Sequence, residues 1–230
     1  MTSAVTTGDR LRALDPVLAQ MTLASVGHAR SVPELTDREK TFLNVVADVC
    51  QGALGLPFEA HVRAGLGAGV TVEDLRELLR FVSYDIGYHA AVAGFEALAA
   101  LTEDAEPTSA AALDESLVST GPDAAASPLP AAVREQLAAV DPHFAEYFDL
   151  QSRMRAGHQP GTLSERERGL VSMSVDVHYQ TLGDTFRIHV GRAMRGGASA
   201  DDVRAALRFN APYGVTRAWE AWQVLPQLLG

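Results

Sequence analysis

Histidine is the side chain whose unperturbed pKa lies nearest neutrality, so a histidine written twice at one point of a repeated pattern suggests proton transfer. The stretches "FEAHVRAGLGAGV" (Phe58–Val70) and "FRIHVGRAMRGGA" (Phe186–Ala198) keep Phe, His, Val and the last Gly in register, 128 positions apart. His61 and His189 are therefore candidate general acids or bases, able to exchange a proton at carbon without a cofactor. A core histidine with one ring nitrogen satisfied is the other reading, because duplication copies structural residues as readily as functional ones.

Further candidates surround them. Cys50 in the first copy becomes His178 in the second, and Val46 becomes Ser174, on a face expected to point inward. A free cysteine packs as a small hydrophobe, but a buried His and Ser need partners. The second copy thus lines a more polar cavity or hosts a structural hydrogen-bond network. Tyr84, Asp85, Tyr88 and His89 cluster in "SYDIGYHAA", answered by Tyr213 and Arg217 in "PYGVTRA". Such a Tyr–Gly break suits a pocket mouth or a packing turn. Arg63, Arg187, Arg192 and Arg217 are candidates for meeting a substrate carboxylate. Asp48 and Asp176 recur too, and read as a solvated helix face or a structural salt bridge. Arg76 with Arg204, and Arg80 with Arg208, suit a surface or an oligomer interface. The histidines at 61, 89, 178 and 189 lack HxxxH or HExxH spacing, so no metal site is expected. Phosphate loop, dinucleotide fingerprint and GxSxG elbow are all missing.

The elements that must position these residues come from one unit written twice. Leu35–Phe81 lies over Leu163–Phe209 without a gap, with roughly a third of positions identical. Upstream, "LRALDPVLAQM" resembles "LAAVDPHFAEY". Thr36 with Glu39 and Ser164 with Glu167 have capping-box spacing, as do Thr71 with Asp74 and Ser199 with Asp202. Leu43, Val46, Ala47 and Cys50 form an apolar stripe at helical spacing. Gly52, Gly55 and Pro57 break it, a second helix runs from about Phe58 to Leu66, and Gly67 and Gly69 end that one. The pattern predicts an all-α protein with a first unit at 1–105, a linker at 106–130 rich in Ala, Ser, Pro and acids, and a second unit at 131–230.

The net charge of −10 argues against nucleic-acid binding, and an anionic substrate would need local arginines to offset that field. One cysteine permits neither an internal disulfide nor a CxxC pair. No apolar run approaches the ~20 residues that span a bilayer, and the N-terminus lacks the pattern of a secretory signal. A cytoplasmic protein without membrane contact is expected.

"LTDREKTFLNVVADV…FEAHVRAGLGAGVTVEDLRELLRFVSYDIGYHAAVAGFEAL" resembles the carboxymuconolactone decarboxylase family, within the alkylhydroperoxidase D-like superfold; "LSERERGLVSMSVDV…FRIHVGRAMRGGASADDVRAALRF" resembles it more loosely. The resemblance implies an all-helical fold of two tandem units, with pockets where helices of neighbouring units meet. It also implies a homo-oligomer, a trimer ahead of a dimer. Of the superfold's two chemistries, the peroxidase branch places a CxxC pair where this chain has Leu54 and Pro57, and Leu182 and Thr185, so thiol-dependent peroxide reduction is disfavoured. The decarboxylase branch needs neither thiol nor cofactor. The resemblance therefore implies a cofactor-independent lyase or isomerase acting on a small anionic or lactone-like substrate, with His61 and His189 as its proton donors. Glu59 fits a common family pattern, whereas Arg187 stands at that place in the second unit, so the two pockets need not be equivalent. A non-catalytic binder or assembly protein of the same fold is the alternative, and a residual peroxidase would require Cys50 to be exposed with a depressed pKa.

Overall fold

A computed structural model of the chain describes residues 6–102, 111–157 and 161–229. Their regular structure is helical throughout, with no strand among the described residues. The helices are α1 (Thr7–Leu14), α2 (Pro16–Arg30), α3 (Asp37–Gln51), α4 (Leu56–Gly67), α5 (Val72–Ile86), α6 (Tyr88–Leu101), α7 (Glu115–Val118), α8 (Ala131–Val140), α9 (Pro142–Gly157), α10 (Glu165–Tyr179), α11 (Asp184–Arg195), α12 (Ala200–Asn210), α13 (Val215–Val224) and α14 (Pro226–Leu229). A 3-10 turn, Ala211–Tyr213, follows α12.

Local chemistry sets these boundaries. All four capping boxes expected from the sequence form, opening α3, α5, α10 and α12. In each, a Ser or Thr oxygen takes an orphan N–H of the first turn while the acid returns to the cap's own N–H. Gly52 ends α3 in the left-handed region at φ 65°. The second repeat puts Gln180 there, at φ 59°, the one described non-glycine residue with positive φ. Its side-chain amide donates to Val177 O (2.7 Å) and Arg217 O (3.2 Å), which offsets a conformation that costs an L-residue about 1 kcal/mol.

Two compact units result, and they do not follow the repeat boundaries. One joins Met1–Asp104 with Leu163–Gly230; the other is Ala105–Thr162. The segment assigned from sequence to the linker and to the start of the second repeat thus forms a unit of its own, holding α7, α8 and α9. Within it Arg153 is buried and donates to Asp149 Oδ2 (3.0 Å), Ser119 O (2.9 Å) and Ser116 O (3.2 Å). Those bonds hold α7 against α9. Residues 106–110 of the expected linker lie outside the described residues.

In the larger unit α3 and α10, equivalent helices of the two repeats, lie side by side and share their cores. Leu43 of α3 packs among Leu170, Met173 and Val177, while Val171 and Val175 of α10 pack among Phe42, Val46 and Val49. Small residues permit close crossings. A Cβ on Gly169 would lie 2.3 Å from the Ala193 backbone nitrogen, and one on Gly65 would lie 2.3 Å from Thr41 Cγ2. Gly169 and Thr41 are equivalent, as are Ala193 and Gly65, so the repeats make the same crossing with the small residue on opposite helices.

The helix N-termini are clasped reciprocally. Arg38 pairs with Glu167 (2.6 Å) and Asp74 (2.7 Å); Arg166 pairs with Glu39 (2.6 Å) and Asp202 (2.6 Å). The Arg166 hydrogen bond holds the Asp202 carboxyl at about 2, below its usual 3.8. A depressed carboxylate stabilises the fold above the unfolded pKa, and that contribution is lost as pH falls through the folded value. Wild-type stability in urea should therefore drop between pH 4 and pH 2. Asp202→Asn should be less stable at pH 7 by ~1–2 kcal/mol, after allowing for solvent screening, and shallower across that acid window. Identical acid limbs for the two proteins would exclude the clasp as their cause.

Candidate functional site

His61 stands on α4 and Asp48 on α3, and the α3–α4 break folds one helix back onto the other. His61 Nδ1 lies 2.6 Å from Asp48 Oδ2. In the second repeat His189 Nδ1 lies 2.6 Å from Asp176 Oδ2. The aspartates are only 2% and 4% exposed, so the solvated-face reading of Asp48 and Asp176 is corrected; each sits inside the fold against a histidine. A carboxylate at Nδ1 accepts the Nδ1–H, which fixes the tautomer and leaves Nε2 to exchange a proton. Burial pushes the Asp48 carboxyl above its usual range, while the His61 hydrogen bond acts in the opposite direction.

His61 borders a narrow opening with a cavity volume of about 20 Å3. Both repeats build it: Asn44 and His61 come from the first, Phe209, Pro212 and Tyr213 from the second, and Val26, Ala29 and Arg30 from α2. Tyr213 donates its hydroxyl to Asn44 Oδ1. Its ring lies edge-on between two imidazoles, with centroids 6.2 Å from His61 and 5.9 Å from His178. Burial raises the phenol far above its ordinary pKa, so it stays a protonated donor.

The equivalent place beside His189 is built differently. Ser172 stands where the first repeat has Asn44, and its Oγ donates to Asp85 Oδ2 at 3.4 Å. Thr181, where the first repeat has Ala53, adds a 2.6 Å hydrogen bond to Asp176. The His–Asp pair recurs while its surroundings diverge.

His178 is buried and neither ring nitrogen meets a hydrogen-bond partner among the described residues. Neighbouring Asn210 is already engaged, accepting from Ser174 (2.7 Å) and donating to Ala206 O (2.9 Å). Burial and then the Arg217 charge lower the His178 pKa to about 4, so the ring is neutral at neutral pH. Burial pushes the Cys50 thiol up to about 12, the reverse of what a thiolate nucleophile needs; the condition set for a residual Cys50 peroxidase is not met.

The remaining candidates scatter. Glu59 is held by Arg10 (2.7 Å) and Arg63 (3.1 Å) and does not border the space beside His61. Arg187 is exposed and paired with Asp184 at 2.9 Å. His89 is exposed in the first turn of α6, and Tyr84 is half-buried near the end of α5. Arg217 donates to the Tyr213 backbone oxygen at 2.7 Å, holding the turn that presents that ring. Among the described residues no group of three or more His, Cys, Asp or Glu is placed to hold a metal ion. No described helix is long and apolar enough to cross a membrane.

Sequence reading gave Asp48 and Asp176 no place at the site and did not single out Asn44 or Arg30. The Asp-x12-His spacing recurs in both repeats, and that was the available signal for Asp48 and Asp176. Asn44 and Arg30 had none, because their roles depend on the other repeat and on α2.

The sequence model of the carboxymuconolactone decarboxylase family matches residues 16–100 and 144–227. Among solved structures the chain is similar to a candidate gamma-carboxymuconolactone decarboxylase subunit from Burkholderia xenovorans LB400, at 22% identity and a TM-score of 0.56, covering 98% of this chain and 92% of that one. That likeness extends to the fold. Among curated proteins none matches the chain.

The Asp contacts fix an expected NMR outcome. At pH 7.5 the long-range 15N spectra of His61 and His189 should show protonated Nδ1, and Asp48→Asn should shift the pattern of His61 alone. An unchanged His61 pattern in Asp48→Asn would remove Asp48 as its tautomer-setting partner.

Proposed function

The chain belongs to the carboxymuconolactone decarboxylase family, and from that premise we propose that it is a cofactor-independent lyase or isomerase acting on a small anionic or lactone-like substrate through His61. The observation that carries this reading is a histidine whose Nδ1 is held by a buried carboxylate and whose ring borders an open space. In a decarboxylation the bond to the carboxylate breaks, CO2 leaves, and the electron pair moves into the conjugated lactone carbonyl as an enolate. Protonated His61 then delivers its Nε2 proton to carbon and regains one from water. Asp48 stabilises the imidazolium before transfer, as a buried carboxylate behind a catalytic histidine does. The Tyr213 hydroxyl and the Asn44 amide supply neutral polar groups at the same wall, where charge develops on the substrate.

His189 has the same kind of carboxylate partner but is buried, whereas His61 is half-buried and lines the opening that also holds Tyr213. Access to that opening favours His61 as the working member. With γ-carboxymuconolactone as substrate, CO2 release should fall roughly 100-fold or more in kcat for His61→Ala and only a few-fold for His189→Ala. Full activity in the double variant would remove both histidines from the mechanism. Binding without CO2 release in the unaltered protein would favour the non-catalytic reading.

The same reading includes a cytoplasmic setting and a homo-oligomer, a trimer ahead of a dimer. Leu14, Val17, Leu18 and Met21 support the assembly: all are large, apolar and more than half exposed along α1 and α2. Such a patch marks an interaction surface more often than bare solvent contact. Light scattering at micromolar concentration should give three times the 24.5 kDa chain mass. Val17→Glu with Met21→Glu should reduce it to the mass of one chain. A monomer in the unaltered protein would overturn the assembly.

A further inference from the structure

We propose that Arg30 is the specificity-determining residue of the His61 space, anchoring the ionised carboxylate of a small organic acid, one per chain. The residue closes α2 and lines the same opening as His61 and Tyr213. Most arginines of the larger unit are engaged by carboxylates: Arg10 and Arg63 by Glu59, Arg38 and Arg166 by two acids each, Arg208 by Glu34. Among the described residues none pairs with Arg30. Arg30 is exposed at the edge of that opening, and an unpaired guanidinium there, in a chain of 29 acids and 19 bases, is a local reversal of the protein's own field.

The surroundings explain why it stays available. Lys40 Nζ donates to the Arg30 backbone oxygen at 3.0 Å, so the helix end is capped without the Arg30 side chain. The guanidinium opposes the rise that burial imposes on the Tyr213 phenol, and both residues line the same opening. Arg217, another arginine without a carboxylate, is turned to the Tyr213 backbone oxygen and holds the turn instead. Ala29 and Phe209 give the opening its apolar sides. A planar guanidinium offers two parallel N–H donors to a carboxylate and much less to an ester, which has no charge to pair. Arg30 lines the His61 opening and is a single residue of the chain, hence one carboxylate per chain rather than two.

This inference rests on the proposed reading for the identity of the reacting substrate, but binding tests it alone. Calorimetry of the full chain uses 5-oxotetrahydrofuran-3-carboxylate, an unreactive lactone acid, and its methyl ester. The unaltered chain should bind the acid at one per chain and the ester at least 10-fold more weakly. Arg30→Gln should weaken the acid at least 10-fold without changing the ester, and Arg30→Lys should restore part of the loss, with thermal melts confirming that each variant is folded. Equal binding of acid and ester by the unaltered chain, no binding of the acid, or an unchanged acid affinity in Arg30→Gln would each overturn the proposal. Arg30-dependent binding without CO2 release from γ-carboxymuconolactone would leave the anchor standing and remove the lyase chemistry. CO2 release indifferent to Arg30→Gln at low substrate would do the opposite.

Discussion

The arrangement depends on a divided carboxylate. Glu39 uses Oε2 to close its own capping box at Thr36 N (2.8 Å) and Oε1 to receive Arg166 of the other repeat (2.6 Å). Glu167 does the same with Ser164 N (2.7 Å) and Arg38 (2.6 Å). Both glutamates are buried, and a buried charge is tolerated only when paired and hydrogen-bonded. Each helix start is therefore fully satisfied only when the other repeat is in register. The interaction couples the most local feature of the chain, a helix cap, to its most distant pairing.

That register decides where the chemistry sits. With α3 and α10 held side by side, the turn after α12 is carried to the α3–α4 face of the first repeat. Tyr213 reaches Asn44 across 169 positions of sequence. The histidine and its aspartate are private to each repeat, whereas Tyr213, beside His61, is borrowed from the other. Duplication followed by independent substitution can then keep the proton-handling pair and change the company it keeps, and the structure carries that outcome: Asn44 with Tyr213 at one place, Ser172 with Asp85 at the other. The Thr41–Gly65 and Gly169–Ala193 crossings show the same freedom in packing, since only the sum of the two side chains is constrained.

What could be read from the sequence follows the same division. The repeat, the four capping boxes, the glycine breaks and the all-α class were legible because each rests on neighbours in the chain. The aspartates of α3 and α10 were left between a solvated face and a salt bridge for a physical reason. An amphipathic stripe implies one buried face, but these central helices are covered on nearly all sides, and α10 is buried from Glu167 through His178. In such a helix an aspartate has no water to face, so Asp48 and Asp176 had to find a partner inside. The compact unit at Ala105–Thr162 was equally hidden, because the repeat pattern assigns α8 and α9 by ancestry rather than by what they touch.

The charges around His61 complete the argument. His178 is neutral, Tyr213 is protonated, and Asp48 lies beneath the imidazole with its charge countered only when that ring carries a proton. Arg30 lines the opening as a cation with no carboxylate of its own. An organic acid entering this field is oriented before any chemistry occurs, carboxylate toward Arg30 and the remainder toward the imidazole. If the carboxylate that Arg30 anchors is the one that leaves, the cation stabilises the ground state and slows the step. If it is a second carboxylate, the cation fixes the molecule while the reacting carboxylate lies against the apolar side of Ala29 and Phe209, where loss of its charge as CO2 is favoured. A dicarboxylate-derived lactone, with one acid to hold and one to lose, fits this field better than a monoacid substrate would.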